Sequence, residues 1–414
     1  MSILNLMTEK NSLYKRKIIK ELYFGSNLSA SDVSTRIKTS LPLATKMLNE
    51  LIKENHITGT GYAPSTGGRR PLVYSLRSDF LFVVAVAMDQ LYTRIVIMDM
   101  HRKHVKPVGK FELHLAKTPG AAEILAEKIN EYIDQSGIAR VEIAGIGIGM
   151  PGFVNAKQGI NYSFLEVEDR SLAQYLTART GVQTFLENDS SLIALAEFRF
   201  GAARNKKNAM VINLGWGIGL GLILNGELFK GHNGFAGEFS HLPLFSNNKL
   251  CSCGKMGCLE TEVSLLEVIR KAEEGIRSGA ATMLNKSLPA ENLDQASRVI
   301  MSAAEKGDKY AIELLSDAAY NIGRGVAILI HLLNPEIIIL SGRGASAGKI
   351  WQAPIQMALN EYCIPRLAAN TEIEISELGY NTELIGAAAL VIDNYDRHLK
   401  KNISGKEKGA VSHE

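Results

Sequence analysis

Two stretches of this chain follow one plan. "FLFVVAVAMDQLYTRIVIMDMHRK", from Phe80 to Lys103, reads as strand, tight turn, strand and charged turn, and "AMVINLGWGIGLGLILNGELFKG", from Ala209 to Gly231, repeats that order. Each opens on a continuous apolar run, the signature of a strand buried on both sheet faces. Helical stretches such as "AAEILAEKINEYIDQ" and "YAIELLSDAAYNIGRGVAILIHLL" alternate with these strands and with "VEIAGIGIGMPGFV" and "EIIILSGRG". The alternation implies an α/β body. The repeated hairpin implies two similar lobes with a cleft between them. At 414 residues and 46% hydrophobic, the chain is long enough for two or three well-filled domains. No apolar run approaches the ~20 residues of a membrane span, and the polar start "MSILNLMTEKNSLYKRK" is no signal peptide. A cytoplasmic location without membrane contact is expected, and there disulfides are rare.

The texture before Asp79 is different. Residues 1–78 carry 12 Lys+Arg against 5 Asp+Glu, a charge of +7, whereas the rest of the chain sums to −4. A basic module on a mildly acidic body suggests a polyanionic partner. "SLYKRKIIKELYFG" predicts a first helix stopped at Gly25, with Leu13, Ile18, Leu22 and Tyr23 inward. "SASDVSTRIKT" predicts a second, capped by Ser29 or Ser31, with Val33 and Ile37 inward. After "TSLP", "LATKMLNELIKENH" predicts a third, and "ITGTGYAPSTGGRRPLVYSLR" a two-stranded wing with a Gly/Pro/Ser-rich tip. The whole is a winged helix-turn-helix over 1–78. The N-terminal residues of a recognition helix commonly meet base edges. Here those are Ser40, Pro42, Thr45 and Lys46, with Lys38 placed for phosphate, and Arg69 and Arg70 on the wing suited to a narrow minor groove. Winged helices also serve as protein–protein modules; the charge and the paired arginines favour double-stranded DNA.

"CSCGKMGCLE", Cys251 to Glu260, packs three of the four cysteines into eight residues, and His241 stands ten before them. Zinc takes four N/S ligands in a tetrahedron, and His241, Cys251, Cys253 and Cys258 supply that set in the loop 241–258. The spacing offers no Cys-x-x-Cys redox pair, and a closed set of four favours a structural Zn2+ over a catalytic one. Cys363, without a partner in sequence, reads as a buried apolar filler.

The combination "GEFSH…CSCGKMGCLE", the segment "LENDSSLIALAEFRFGAA" and the loop "GIGIGMPGFV" resemble the signatures of the ROK family (repressors, open reading frames, kinases). With the N-terminal module attached, the chain is similar to that family's regulator branch, the xylose- and N-acetylglucosamine-type repressors. The resemblance implies a two-lobed, actin-like, sugar-kinase-like (ribonuclease H-like) body over 79–400, followed by a polar tail over 401–414. It also implies that Asn188, Asp189, Glu238, His241 and Glu260 hold sugar hydroxyls, for which carboxylates and an amide are good partners. The metal would then fix a loop that aims Glu260 and, through His241, the other contacts.

In kinases of the family the Asp of the Asn-Asp pair is the catalytic base, so Asp189 would serve if this chain were one. The phosphate side departs from the family pattern. Where those kinases carry Asp-x-Gly-Gly-Thr-Lys, this chain has "AMDQLYTR", with Gln90, Leu91 and Tyr92 after Asp89. Trp216 stands in "GWGIG" where a small hydroxyl residue is expected, and Arg343 in "SGRGAS". Phosphoryl transfer depends on positioning and charge neutralisation, so ATP use is disfavoured. Three readings remain open: a regulator, acting as a repressor in a homodimer or homotetramer, released from its operator by a sugar; an ATP-dependent sugar kinase that also binds DNA; and a zinc-stabilised regulator whose body only dimerises and binds no small molecule. "GWGIGLG" taken alone is a weak glycine-rich signal, and in a buried hairpin its glycines can equally serve tight strand packing.

Overall fold

A computed structural model of the chain describes residues 3–62, 70–286, 288–289 and 292–396. The first helix, α1, spans Ile3–Gly25, starting nine residues before the predicted Ser12 because no proline or glycine interrupts "ILNLMTEKN". The strand β1 (Leu28–Ser29) leads into α2 (Ala30–Arg36), and α3 runs over Leu41–Lys53. Of the two predicted caps for α2, Ser29 serves: its hydroxyl accepts the Asp32 amide at 3.2 Å while the Asp32 carboxylate accepts the Ser29 amide at 2.9 Å. The third helix begins two residues earlier than expected, since Pro42 fits its first turn, and it ends before Asn55 turns to φ 59°. The strands β2 (Ile57–Tyr62) and β3 (Leu72–Leu76) pair antiparallel. Leu28 and Ser29 add a third strand, opposite Tyr74 and Val73, where a two-stranded wing is predicted. Ile18, Leu22, Val33, Met47, Leu48, Leu51 and Ile57 fill the core of this module.

The body holds two five-stranded sheets. The first is built from β4 (Phe82–Met88), β5 (Tyr92–Asp99), β6 (Gly109–Glu112), β7 (Ile143–Met150) and, after the short β8 (Val154–Asn155) and β9 (Ile160–Asn161), β10 (Thr184–Asn188). Its order is β10-β7-β4-β5-β6, with β4 antiparallel to β5 and parallel to β7. The helices α4 (Ala121–Asp134) and α5 (Leu172–Thr180) lie between these strands in sequence. After α6 (Asp189–Phe200), the second sheet takes β11 (Ala209–Leu214), β12 (Ile218–Leu224), β13 (Glu227–Phe229), β14 (Ile337–Ser341) and β15 (Glu372–Ile375). Its order is β13-β12-β11-β14-β15, again with the leading strand antiparallel to its hairpin partner and parallel to the next long strand. The repeat read from the two apolar hairpins is therefore a repeat of sheet topology.

The second sheet is covered on both faces, as continuous apolar strands require. Val211, Ile223, Ile337 and Ile339 pack with Ile193 and Ala194 of α6. The alternate residues Met210, Ile212, Leu222, Ile338 and Leu340 join the larger core. That core is completed by α7 (Glu260–Val263), α8 (Leu265–Arg277), α9 (Leu293–Glu305), α10 (Lys309–Leu333) and α11 (Gln352–Tyr362). Cys363 is buried in it, as expected for an apolar filler. The short α12 (Pro365–Ala368) and α13 (Thr382–Asn394) complete the helices among the described residues.

By their contacts the residues form two compact units. One holds Met1–Gly152, Ala156–Glu187 and Ala387–Glu414, and the other Phe153–Asn155 and Asn188–Gly386. The N-terminal module thus belongs to the same unit as the first sheet. Among the described residues no helix is long and apolar enough to cross a membrane.

Candidate functional site

The polar residues singled out in the sequence, Asn188, Asp189, Glu238, His241 and Glu260, all fall in one compact unit. Strand β10 ends on Asn188, which has extended backbone (φ −64°, ψ 142°) and caps α6: its side-chain oxygen accepts the amides of Ser190 at 3.0 Å and Ser191 at 3.2 Å. Asp189 follows in the first turn, where the helix dipole favours a carboxylate, and accepts the Ser190 amide at 2.7 Å. The cap therefore fixes both members of the pair. Ser190 is held in turn by Asn213 of β11, whose side-chain amide donates to its hydroxyl at 3.1 Å.

Glu260 opens α7 and reaches the second hairpin, where it accepts the Ile218 amide at 3.4 Å. Burial pushes its carboxyl above the usual range, while His241 and that amide pull it back. A side chain at Gly217 would collide with the Glu260 carboxylate, and one at Gly219 with the Ser190 hydroxyl. The glycines of "GWGIGLG" thus make room for polar groups as well as for packing. Glu238 precedes a 3-10 turn, Phe239–His241, and its carboxylate stands 3.6 Å from His241 Nε2. Partial burial raises the Glu238 carboxyl, His241 lowers it, and Glu260 raises it again.

His241 faces two ways. Its Nε2 meets Glu238, and its Nδ1 lies 3.5 Å from Cys251 Sγ. Cys253 Sγ and Cys258 Sγ are 3.7 Å apart, and the four ligand atoms of His241, Cys251, Cys253 and Cys258 lie within 4.8 Å of one another. Tetrahedral zinc with bonds of ~2.3 Å to sulfur would place its ligands roughly 3.4–3.8 Å apart, so the cage fits such an ion after a small contraction. Burial, then the neighbouring thiols, push the Cys258 thiol up to about 12; a dication at the centre reverses that preference and makes thiolates. The loop is wound by Gly254 and Gly257, at φ 82° and 74°, and Gly257 also packs against the Phe245 carbonyl where no Cβ fits. Lys249 ties it to the following helices through Glu262 at 2.8 Å and Glu267 at 2.7 Å.

The turn after β4 is closed on itself. Asp89 Oδ1 accepts the amides of Leu91 and Tyr92, both at 2.8 Å, and the Asp89 amide donates to the Tyr92 carbonyl at 2.9 Å. The backbone donors a phosphate would need are thus occupied by the aspartate, beyond the bulk of the side chains. In the other unit, Trp216 is buried and the Arg343 guanidinium lies 4.0 Å from its ring centroid. Arg343 also pairs with Asp294 of α9. Asp294 and Arg343 line a cavity of about 360 Å³ together with Arg298, Met301 and Tyr380. Sequence reading found Trp216 and Arg343 and missed Asp294, which carries no motif and lies 49 positions from its partner.

In the N-terminal module Lys38, Ser40, Pro42, Lys46 and Arg70 are exposed and Thr45 is half-buried. Lys38 takes φ 53°, and Ser40 occupies the N-cap position of α3 without a side-chain bond to the helix. Arg69 and the tail 401–414 lie outside the described residues.

A sequence model of the ROK family matches residues 92–394. The chain belongs to the ROK family. The xylose repressor of Caldicellulosiruptor bescii is 27% identical over 398 residues, 92% of this chain and 95% of the repressor. The DNA-binding transcriptional dual regulator NagC of Escherichia coli K12 is 27% identical over 389 residues, 94% of this chain and 93% of its own. The glucokinase of Halalkalibacterium halodurans is 32% identical over 290 residues, but these are 69% of this chain against 88% of the glucokinase. Among solved structures, a ROK family transcriptional regulator homologous to the E. coli MLC protein superposes with a TM-score of 0.76 at 24% identity, covering 95% of this chain and 99% of that one. A ROK glucokinase from Streptomyces griseus, in complex with glucose and AMPPNP, superposes at 0.65 with 25% identity, covering 75% and 98%.

Proposed function

We propose that this chain is a sugar-responsive DNA-binding regulator, a repressor of carbohydrate-metabolism genes, acting in the cytoplasm as a homodimer or homotetramer. The observation that carries the reading is the extent of the likeness: relatives named as a xylose repressor and as a DNA-binding transcriptional dual regulator align over more than nine-tenths of both chains, a share that must take in part of the basic N-terminal module. The proposed organisation is a winged helix-turn-helix over 1–78, a ROK body of two lobes over 79–400 and a tail over 401–414. Ser40, Pro42, Thr45 and Lys46 meet the operator's major groove, Lys38 a phosphate, and Arg69 and Arg70 the minor groove.

In the body, Asn188, Asp189, Glu238, His241 and Glu260 take the hydroxyls of a sugar or sugar derivative. His241, Cys251, Cys253 and Cys258 hold a structural Zn2+, which when bound crosslinks the loop. The ring orientation of His241 then sets Glu238, because its second nitrogen faces that carboxylate at 3.6 Å. A sugar that binds one arrangement of the body better than the other shifts the population of the DNA-competent form.

The second reading, an ATP-dependent sugar kinase with Asp189 as base, draws support from Asp189 itself and from the glucokinase relative. The closed turn at Asp89 and the Trp216–Arg343–Asp294 group weigh against it. The test is binding of the purified chain to DNA from upstream of its own coding sequence, at fixed salt, with and without D-xylose, D-glucose and N-acetylglucosamine. Tight binding weakened by one sugar is the expected result. DNA affinity absent at every salt concentration would remove the reading.

A further inference from the structure

The N-terminal module carries a second set of basic residues, on α1, that face α13. Lys20 Nζ lies 3.1 Å from Asp393 Oδ1, donates to the Asp393 carbonyl at 2.6 Å and stands 3.6 Å from Asp396 Oδ1. Arg16 donates to the Tyr395 carbonyl at 3.0 Å, with its guanidinium 4.7 Å from the Tyr395 ring centroid. Lys20 thus meets a carbonyl in the last turn of α13 and Arg16 the carbonyl just beyond it, where the helix dipole favours positive charge. The side chains of Lys20, Asp393 and Asp396 are 19%, 21% and 4% exposed, so this is no screened surface pair. A second strut runs alongside: Arg102 donates to the Tyr23 carbonyl at 3.3 Å, and His101 Nε2 meets the Leu76 carbonyl at 2.7 Å.

The other end of α13 is seated differently. Gly386 lies so close to Leu192 of α6 that a Cβ there would collide with the Leu192 carbonyl. One residue on, the Ala387 carbonyl approaches Gly147 of β7 in the same way, and Val391 packs over Gly145. The seats at Gly386 and Ala387 are backbone on backbone, with no flexible side chain between to absorb a shift. The boundary between the two compact units falls at Gly386/Ala387, inside this helix. The helix on which Gly386 rests, α6, begins with Asn188 and Asp189.

We propose that α13 is the coupling element of the switch: it rests on the helix that carries the Asn188–Asp189 pair and is clasped to the N-terminal module through Lys20 and Arg16. The proposal rests on the reading of the chain as a sugar-responsive DNA-binding regulator, and it names the route by which the two events communicate. When a sugar engages Asn188 and Asp189, a change in α6 is passed to α13 at Gly386. The clasp carries it into α1, which Lys15 joins to α3 through Glu50 at 2.8 Å and Glu54 at 2.5 Å. Lys20 is not among the residues assigned to DNA or sugar. Its removal therefore uncouples the sites without destroying either.

The test measures three quantities on the full chain: DNA affinity without sugar, sugar affinity, and the change in DNA affinity at saturating sugar. The DNA is the fragment upstream of its own coding sequence, and the sugars are D-xylose, D-glucose and N-acetylglucosamine. In Lys20→Met the first two stay within about threefold of wild type, while the sugar effect falls from tens of fold to under about twofold. Lys20→Arg restores it. Asp393→Asn, a milder cut at the clasp, lowers the effect in the same direction and serves if Lys20→Met does not fold. A full sugar response in Lys20→Met or Asp393→Asn overturns the proposal, and so does a clasp variant that only melts earlier. A wild-type chain whose DNA affinity no sugar alters overturns the underlying reading, and this one with it.

Discussion

The surroundings of Glu260 and of Arg343 lie in the same compact unit and have been treated in opposite ways. Around Glu260 each element presents a polar group and makes room for it. Asn188 spends its oxygen on the α6 cap, Gly217 yields space to the Glu260 carboxylate, and His241 links Glu238 to the cysteine loop. Around Arg343 the polar groups satisfy one another: the guanidinium stacks on Trp216 and pairs with Asp294. The turn at Asp89, on the first sheet, is likewise closed, its amides already accepted by its own aspartate. A binding surface persists where donors are held in place by the backbone and still face outward. It is lost when a side chain from the same protein becomes the partner. On the proposed reading, the sugar side is kept and phosphoryl transfer is given up without a change in the sheets.

The largest effect should come from the metal loop. Chelation, or Cys258→Ser, is expected to lower the melting temperature by about 10 °C and to abolish sugar binding in calorimetry, because the loop aims Glu238 and Glu260. A second, more local break is Asp189→Ala or Glu260→Gln. Loss of a charged hydrogen bond of ~1.5–3 kcal/mol weakens sugar binding roughly 10- to 150-fold. DNA affinity in the absence of sugar should be unchanged in both, as gel-shift titration can check.

On the closed side, Arg343→Ala leaves Asp294 buried without its cation. It is expected to cost about 3 kcal/mol in denaturant unfolding, most of which returns in Arg343→Met with Asp294→Asn. The smallest effect concerns pH. Burial raises the Glu197 carboxyl, against the pull of the Ser376 and Ser341 hydroxyls and the Ala202 amide. The folded state then holds a proton that the unfolded state has released, so stability falls as pH rises from the ordinary carboxylate range to the raised value, and is level above it. In Glu197→Gln that fall should be absent from melting curves taken across the window.

What was legible in the sequence was what short-range pattern encodes. The paired apolar hairpins gave the repeated sheet plan, and "CSCGKMGCLE" with His241 gave a cage whose ligand atoms do converge. Trp216 and Arg343 were legible as departures from a phosphate loop. Their stacking, and the answering Asp294, were not, since a pairing between α9 and the loop after β14 leaves no periodic trace. The same holds for the clasp, in which Lys20 meets Asp393 across 373 positions. The strand Leu28–Ser29 is too short for alternation to reveal it. The role of Gly217 was hidden for another reason: a glycine in a strand signals close approach without saying what approaches.

The most direct test of the contrast between the two sides is calorimetry on one zinc-loaded preparation, titrated separately with a sugar and with Mg-ATP, followed by an assay for ADP with both present. The account predicts saturable heat with one of D-xylose, D-glucose or N-acetylglucosamine, none with ATP, and no ADP. Steady ADP formation that requires the sugar and disappears in Asp189→Asn would contradict it and make the chain a kinase.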